Sequence, residues 1–167
     1  MSSSGGVHCL PIWRYSVMVD ESRSAKAVLR DAPISRKEAY EVLKVIKGMK
    51  LSEAKKLIND VLNFKTPIPY TRYKLSIAHK KGLSQVFPKF KSPIGRYPVK
   101  VCKYLLKLLE NVENNAVNKG LNPESLVITH AVAHRGPYLK RWMPRAFGRA
   151  TPKFRSLTHV EIVVSEV

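Results

Sequence analysis

Apolar positions recur with a helical period in three stretches of the chain and with a strand period in three others. Ala25 to Asp31 (AKAVLRD) is short, apolar-rich and stopped by Ala32-Pro33, which predicts a first strand. Ser35-Arg36-Lys37-Glu38 has the form of a capping box, in which the serine hydroxyl accepts an orphan amide and the glutamate reaches back. Ala39, Val42, Leu43 and Ile46 then mark one face of a first helix, with Gly48 as its stop. A second helix is expected from Ser52, burying Ala54, Leu57, Ile58, Val61 and Leu62. A third has Pro98 at its first position and the stripe Val101, Leu105, Leu108, Leu109, Val112, Ala116, and Gly120 ends it. Asn122-Pro123 turns the chain into a second strand, Leu126 to Thr129. In a third strand Val160, Ile162 and Val164 alternate with His159, Glu161 and Ser165, predicting one buried and one polar face. The expected fold is α+β: three helices packed on a small three-stranded antiparallel sheet, with a long protruding β-hairpin.

Three segments lack these periods. Residues 1–23 open with Ser-Ser-Ser-Gly-Gly after Met1 and read as an extended tail, in which Trp13 and Tyr15 either anchor on the body or stack on bases. Residues 64–98 contain Pro67, Pro69, Pro88, Pro93 and Pro98 and read as a basic insertion, with room for a short helix around Ser76 to Leu83. Residues 135–156 form a basic arm between β-branched runs, so the body comprises 24–134 and 157–167.

Charge changes the picture most. Lysine and arginine number 30 against 12 acids, a formal net charge of +18, which points to a nucleic-acid partner. The arm carries Arg135, Lys140, Arg141, Arg145, Arg149, Lys153 and Arg155, and no acid lies between Glu124 and Glu161. Tyr138, Trp142, Phe147 and Phe154 are interleaved with these cations, as stacking on unpaired bases requires and a merely solvated basic face does not. The insertion adds Lys65, Arg72, Lys74, Lys80, Lys81, Lys89, Lys91 and Arg96, also without an acid, and reads as a second RNA-facing element. Two arms of about eighteen residues at ~3.3 Å each make an object about 60 Å long. An isolated two-stranded ribbon is marginal in water, so the outer half of the arm is expected to be ordered by RNA.

Other chemistry is sparse. His130 and His134 share a strand face, yet no cysteine or carboxylate nearby in sequence completes a metal site. His159 beside Glu161 has no nucleophile or oxyanion loop to serve, and both read as surface strand residues. No glycine-rich phosphate loop appears in Walker or Rossmann spacing, and no cofactor or enzyme activity is expected. Cys9 and Cys102 read as free thiols, favouring a reducing compartment. No stretch is long and apolar enough to span a bilayer, and the first residues lack the basic-then-apolar order of a signal peptide.

From Arg23 onward the chain resembles the universal large-ribosomal-subunit L-twenty-two family. The resemblance rests on Lys26-Ala-Val-Leu-Arg30, Pro33-Ile-Ser-Arg-Lys37, Asn114-Asn-Ala116, the run from Gly136 to Ala150 (GPYLKRWMPRAFGRA), and the run from Thr158 to Glu166 (THVEIVVSE). The stretch from Phe64 to Pro98 is similar to the insertion of archaeal and eukaryotic members. The resemblance implies a cytoplasmic, ribosomal protein on large-subunit rRNA beside other ribosomal proteins. Lys140, Arg141, Arg145 and Arg149 would neutralise phosphates along the arm, and Arg36 and Lys37 match positions near rRNA. Arg72, Lys74, Arg96, Arg135, Trp142, Lys153 and Arg155 complete the expected RNA-binding set. Met143, Pro144, Arg145, Ala146, Phe147 and Gly148 would form a tip lining the exit tunnel, with Ala146 and Gly148 keeping a small profile beside the nascent polypeptide. The competing reading is a free-standing RNA-binding regulator or chaperone outside the ribosome.

Overall fold

Strand pairing puts the C-terminal strand at the centre of the molecule. The computed structural model describes residues 13–20 and 22–166. The expectations for Met1 to Ile12, Cys9 included, lie outside them. Strand β1 (Ser24–Ala32) pairs antiparallel with β7 (Arg155–Glu166), which pairs antiparallel on its other edge with β4 (Leu126–Leu139). Helices α1 (Arg36–Ile46), α2 (Leu51–Leu62) and α4 (Val99–Asn118) cover one face. Their expected stripes are buried there against Ala25, Ala27, Leu126, Ile128, Val160, Ile162 and Val164, except that Leu57 and Leu62 are only partly buried. Cys102 shares the α4 stripe as a free thiol, and burial, reinforced by the Glu38 carboxylate, pushes it up to about 12. It is inert packing.

The opposite face departs from expectation. Glu161 and Val163 of β7 are as buried as the core residues they alternate with. Residues 13–20 lie over that side in an alternating pattern, with Trp13, Tyr15, Val17 and Val19 half-buried and Arg14, Ser16, Met18 and Asp20 exposed. A strand covered on both faces loses the simple apolar–polar alternation.

Two local expectations are also corrected. Ser35 is the N-cap of α1, but its side chain makes no capping bond. Residues 64–98 are not structureless, nor is Ser76 to Leu83 helical. Ser76 has φ 58°, outside the helical region, and the one-turn helix α3 (Leu83–Val86) begins where that helix was expected to end. A two-residue ladder joins β2 (Ile68–Pro69) to β3 (Gly95–Arg96). Ile68, Tyr70, Leu83 and Phe87 are buried in the common core, so the insertion is pinned by apolar anchors that its prolines disguise as a pattern.

Beyond the sheet, β4 and β7 continue as a ribbon. It breaks at Lys140–Arg141 and resumes as β5 (Trp142–Pro144) paired with β6 (Ala150–Pro152). Arg135 faces Thr158 while Tyr138 faces Ser156, so β4 carries one extra residue between them. This bulge strengthens the local twist and re-aims the side chains beyond it. Gly136 sits in it, where an added Cβ would lie 2.9 Å from the Leu157 carbonyl carbon and oxygen. Gly136→Ala is therefore expected to cost ~1–3 kcal/mol, as overpacking does, and to lower the thermal midpoint. An unchanged melting curve would show that the bulge yields without strain.

Candidate nucleic-acid interface

The arm presents its cations on a hydrogen-bonded two-stranded ribbon. Arg141 accepts at its carbonyl from the Lys153 amide at 2.6 Å, which carries the ladder across the break between β4 and β5. Trp142 meets Phe154 edge to face at 5.6 Å across the arm. Around this pair lies an open groove of about 560 Å³ walled by Leu139, Arg141, Met143, Lys153 and Arg155. Lys140, Arg141, Arg149, Lys153 and Arg155 are all exposed. Arg135, nearer the body, stacks its guanidinium 4.7 Å from the Tyr138 ring centre, holding a planar cation beside an aromatic face.

The tip is a tight reversal. The Arg145 amide donates to the Arg149 carbonyl at 2.8 Å, and the Arg149 amide to the Ala146 carbonyl at 3.4 Å. Phe147 and Gly148 both have positive φ, 57° and 64°, as in the mirror-image turns that suit hairpin twist. Glycine takes that conformation freely; phenylalanine does not. Phe147 nonetheless occupies the apex and is 92% exposed, so an aromatic ring, beside the small Ala146 and Gly148, sets the tip's outline. Arg145 folds back to donate from Nε to Thr151 Oγ1 at 3.3 Å.

Two of the insertion's cations, Arg72 and Arg96, are brought to the start of α1. Glu41, fully buried on α1, accepts from the amides of Thr71, Arg72 and Tyr73 and from the Thr71 hydroxyl at 2.8–3.2 Å. This carboxylate clamps the loop so that Arg72 stacks between Tyr40 and Tyr73, at 5.4 and 5.5 Å. Lys37 reaches the same Tyr73 ring at 5.6 Å. Arg96 donates to the Ser76 carbonyl at 3.0 Å, and Lys74 is exposed. Arg36 and Lys37 also line a recess with Arg135, Tyr138 and Ser156 at the root of the arm. The first turn of α1 therefore sits between the two basic elements.

Glu161 organises the strap on the other face. Its carboxylate accepts from Trp13 Nε1 at 3.1 Å, from His134 Nε2 at 3.0 Å, and from the Ser16 amide and hydroxyl. Burial raises its pKa, but the bonds from Ser16, His134 and Trp13 outweigh that and hold it down at about 2. The Trp13 ring also packs edge-on to His159 at 5.0 Å and under the Arg30 guanidinium at 5.5 Å. His159 accepts at Nδ1 from the Asp31 amide. Glu161 and His159, expected as surface strand residues, instead form a polar seam beneath Trp13 together with His130 and His134. Among the described residues no group of three or more histidine, cysteine or acidic side chains is placed to hold a metal ion.

Comparison with known proteins bears directly on this architecture. The family model described as ribosomal protein L22p/L17e matches residues 27–165. The chain belongs to the L22p/L17e ribosomal protein family. The large ribosomal subunit protein uL22 of Staphylothermus marinus is 59% identical over 159 residues, covering 95% of this chain and 99% of that protein. The uL22 proteins of Hyperthermus butylicus and Archaeoglobus fulgidus are 55% and 49% identical, over 94% and 86% of the chain. In this L22p/L17e chain the match spans the sheet, the helices, the insertion and the whole arm. Glu41 escaped sequence reading because the amides it binds lie some thirty residues further on. Glu161 escaped because its alternation with valines matched a solvated face. A lone acid closing the acid-free stretch that holds the arm was the available signal.

Proposed function

We propose that this protein is a structural, non-catalytic constituent of the large ribosomal subunit, bound to rRNA through its arm, its insertion and the start of α1. The carrying observation is the arm: an acid-free, cation-coated ribbon in a member of a ribosomal protein family. Such a surface gains its affinity from phosphate neutralisation and counterion release. Arginine suits it because its planar fork bridges phosphate oxygens and stacks on bases. The globular body sits on rRNA beside other large-subunit proteins in the cytoplasm, and the tip, Met143 to Gly148, lines the exit tunnel with Phe147 towards the nascent polypeptide. No helix among the described residues is long and apolar enough to cross a membrane.

Sedimentation of cell extract on a sucrose gradient tests this reading. The protein is expected in near-stoichiometric amounts with large subunits at physiological salt, and stripped from them at high salt. Recovery in the slow fractions as free protein would favour the regulator or chaperone reading.

A further inference from the structure

The recess at the start of α1 carries a feature that phosphate neutralisation does not use. It has a volume of about 290 Å³ and is walled by Ser35, Lys37, Glu38, Tyr70, Arg72 and Arg96. Tyr70 is 2% exposed, and its hydroxyl is the one buried side-chain polar atom without a hydrogen-bond partner among the described residues. Burial raises the phenol's pKa, the Glu38 carboxylate adds to that and the Arg96 guanidinium opposes it, both from the recess wall. A buried hydroxyl without a partner is costly and calls for an explanation. Above it, the first-turn amides of α1 have no acceptor within the helix, and the Ser35 side chain does not cap them. A helix start with free amides attracts phosphate, and Lys37, Arg72 and Arg96 add three cations to it.

The wall is not uniformly basic. Glu38 is an acceptor that repels a bare phosphate but suits the donors of a ribose hydroxyl or an exocyclic amine. Arg72 and Tyr73, stacked at 5.5 Å, offer a planar platform on the same wall. We propose that this recess receives a single unpaired ribonucleotide, its phosphate on the first turn of α1 and its sugar and base on Glu38 and the Tyr70 hydroxyl. The proposal rests on the rRNA-binding reading and specifies the RNA feature that this part of the surface selects. Recognition of bases extruded from a helix, rather than of duplex edges, is the usual route to RNA specificity.

The test is binding of the full-length protein to three labelled probes at one salt concentration. They are an RNA duplex with one unpaired nucleotide, each of the four bases being tried, the same duplex fully paired, and the bulged duplex in DNA. The wild type is expected to prefer at least one bulged RNA over both other probes. Tyr70→Phe is expected to reduce that preference about three- to tenfold, the worth of one hydrogen bond, without changing the salt dependence. It should also leave the thermal midpoint unchanged or raise it, because the hydroxyl has no partner in the free protein. Arg96→Ala should instead weaken all three probes and lower the salt slope by about one phosphate's worth. An unchanged preference in Tyr70→Phe would assign the hydroxyl to a buried water and overturn the proposal. Equal, salt-sensitive binding of all probes would also overturn it while leaving the rRNA-binding reading intact. Failure of the wild type to bind any RNA would remove both.

Discussion

Reversing Arg141 and Arg145 to glutamate together is expected to lower affinity for large-subunit rRNA by roughly a hundredfold or more, and to deplete the protein from assembled subunits. Each charge-assisted bond to a phosphate contributes on the order of 1.5–3 kcal/mol, and reversal adds repulsion to its loss. The salt dependence should flatten by ~0.7–0.9 in log–log slope for each phosphate contact removed. The fold has no stake in the Arg141 side chain, which is exposed, and only the bond from Arg145 Nε to Thr151 in the other. A normal circular dichroism spectrum and melting curve should therefore accompany the defect. Full incorporation of the double variant at near-physiological salt would show that the arm is held by something other than these cations.

The second large effect is on stability and carries a defined pH window. Glu161→Ala is expected to destabilise the protein by about 3 kcal/mol at neutral pH, because the Trp13, Ser16 and His134 donors lose their shared acceptor. The carboxyl's folded pKa of about 2 lies below its ordinary value of 4.5. Its contribution is therefore fully present above about pH 4.5 and is lost as the pH falls from there towards 2. His130 and His134 on β4, His159 on β7 and Arg30 on β1 share the seam. Tryptophan fluorescence in a Trp142→Phe background would follow Trp13 alone, since the chain has two tryptophans. The parent should release the strap across this acid range, whereas Glu161→Ala should show it already loosened and insensitive to acid. Identical acid transitions in the two proteins would remove Glu161 as the clasp.

Sequence alone determined much of the architecture. The 3.6-residue stripes of α1, α2 and α4 and the apolar run of β7 placed the helices on one face of the sheet. A helix or strand discloses its buried face through local period, and the core stripes obey it. The acid-free interval from Ser125 to Val160 likewise exposed the arm, because a charge imbalance of that size is itself a physical property of the segment.

Tertiary structure decided what depends on residues far apart in sequence. Glu41 becomes a clamp only when Thr71 to Tyr73 are brought to it, and Glu161 becomes a clasp only when Trp13 and Ser16 cross the sheet. Ile68, Tyr70, Leu83 and Phe87 anchor an insertion whose prolines erase any period. Gly136 matters only in the register that sets it against Leu157. Periodicity reports a residue's environment when its neighbours in sequence are also its neighbours in space. A buried carboxylate, a bulge and an unpartnered phenol take their meaning from loop closure and strand register, which no local pattern encodes.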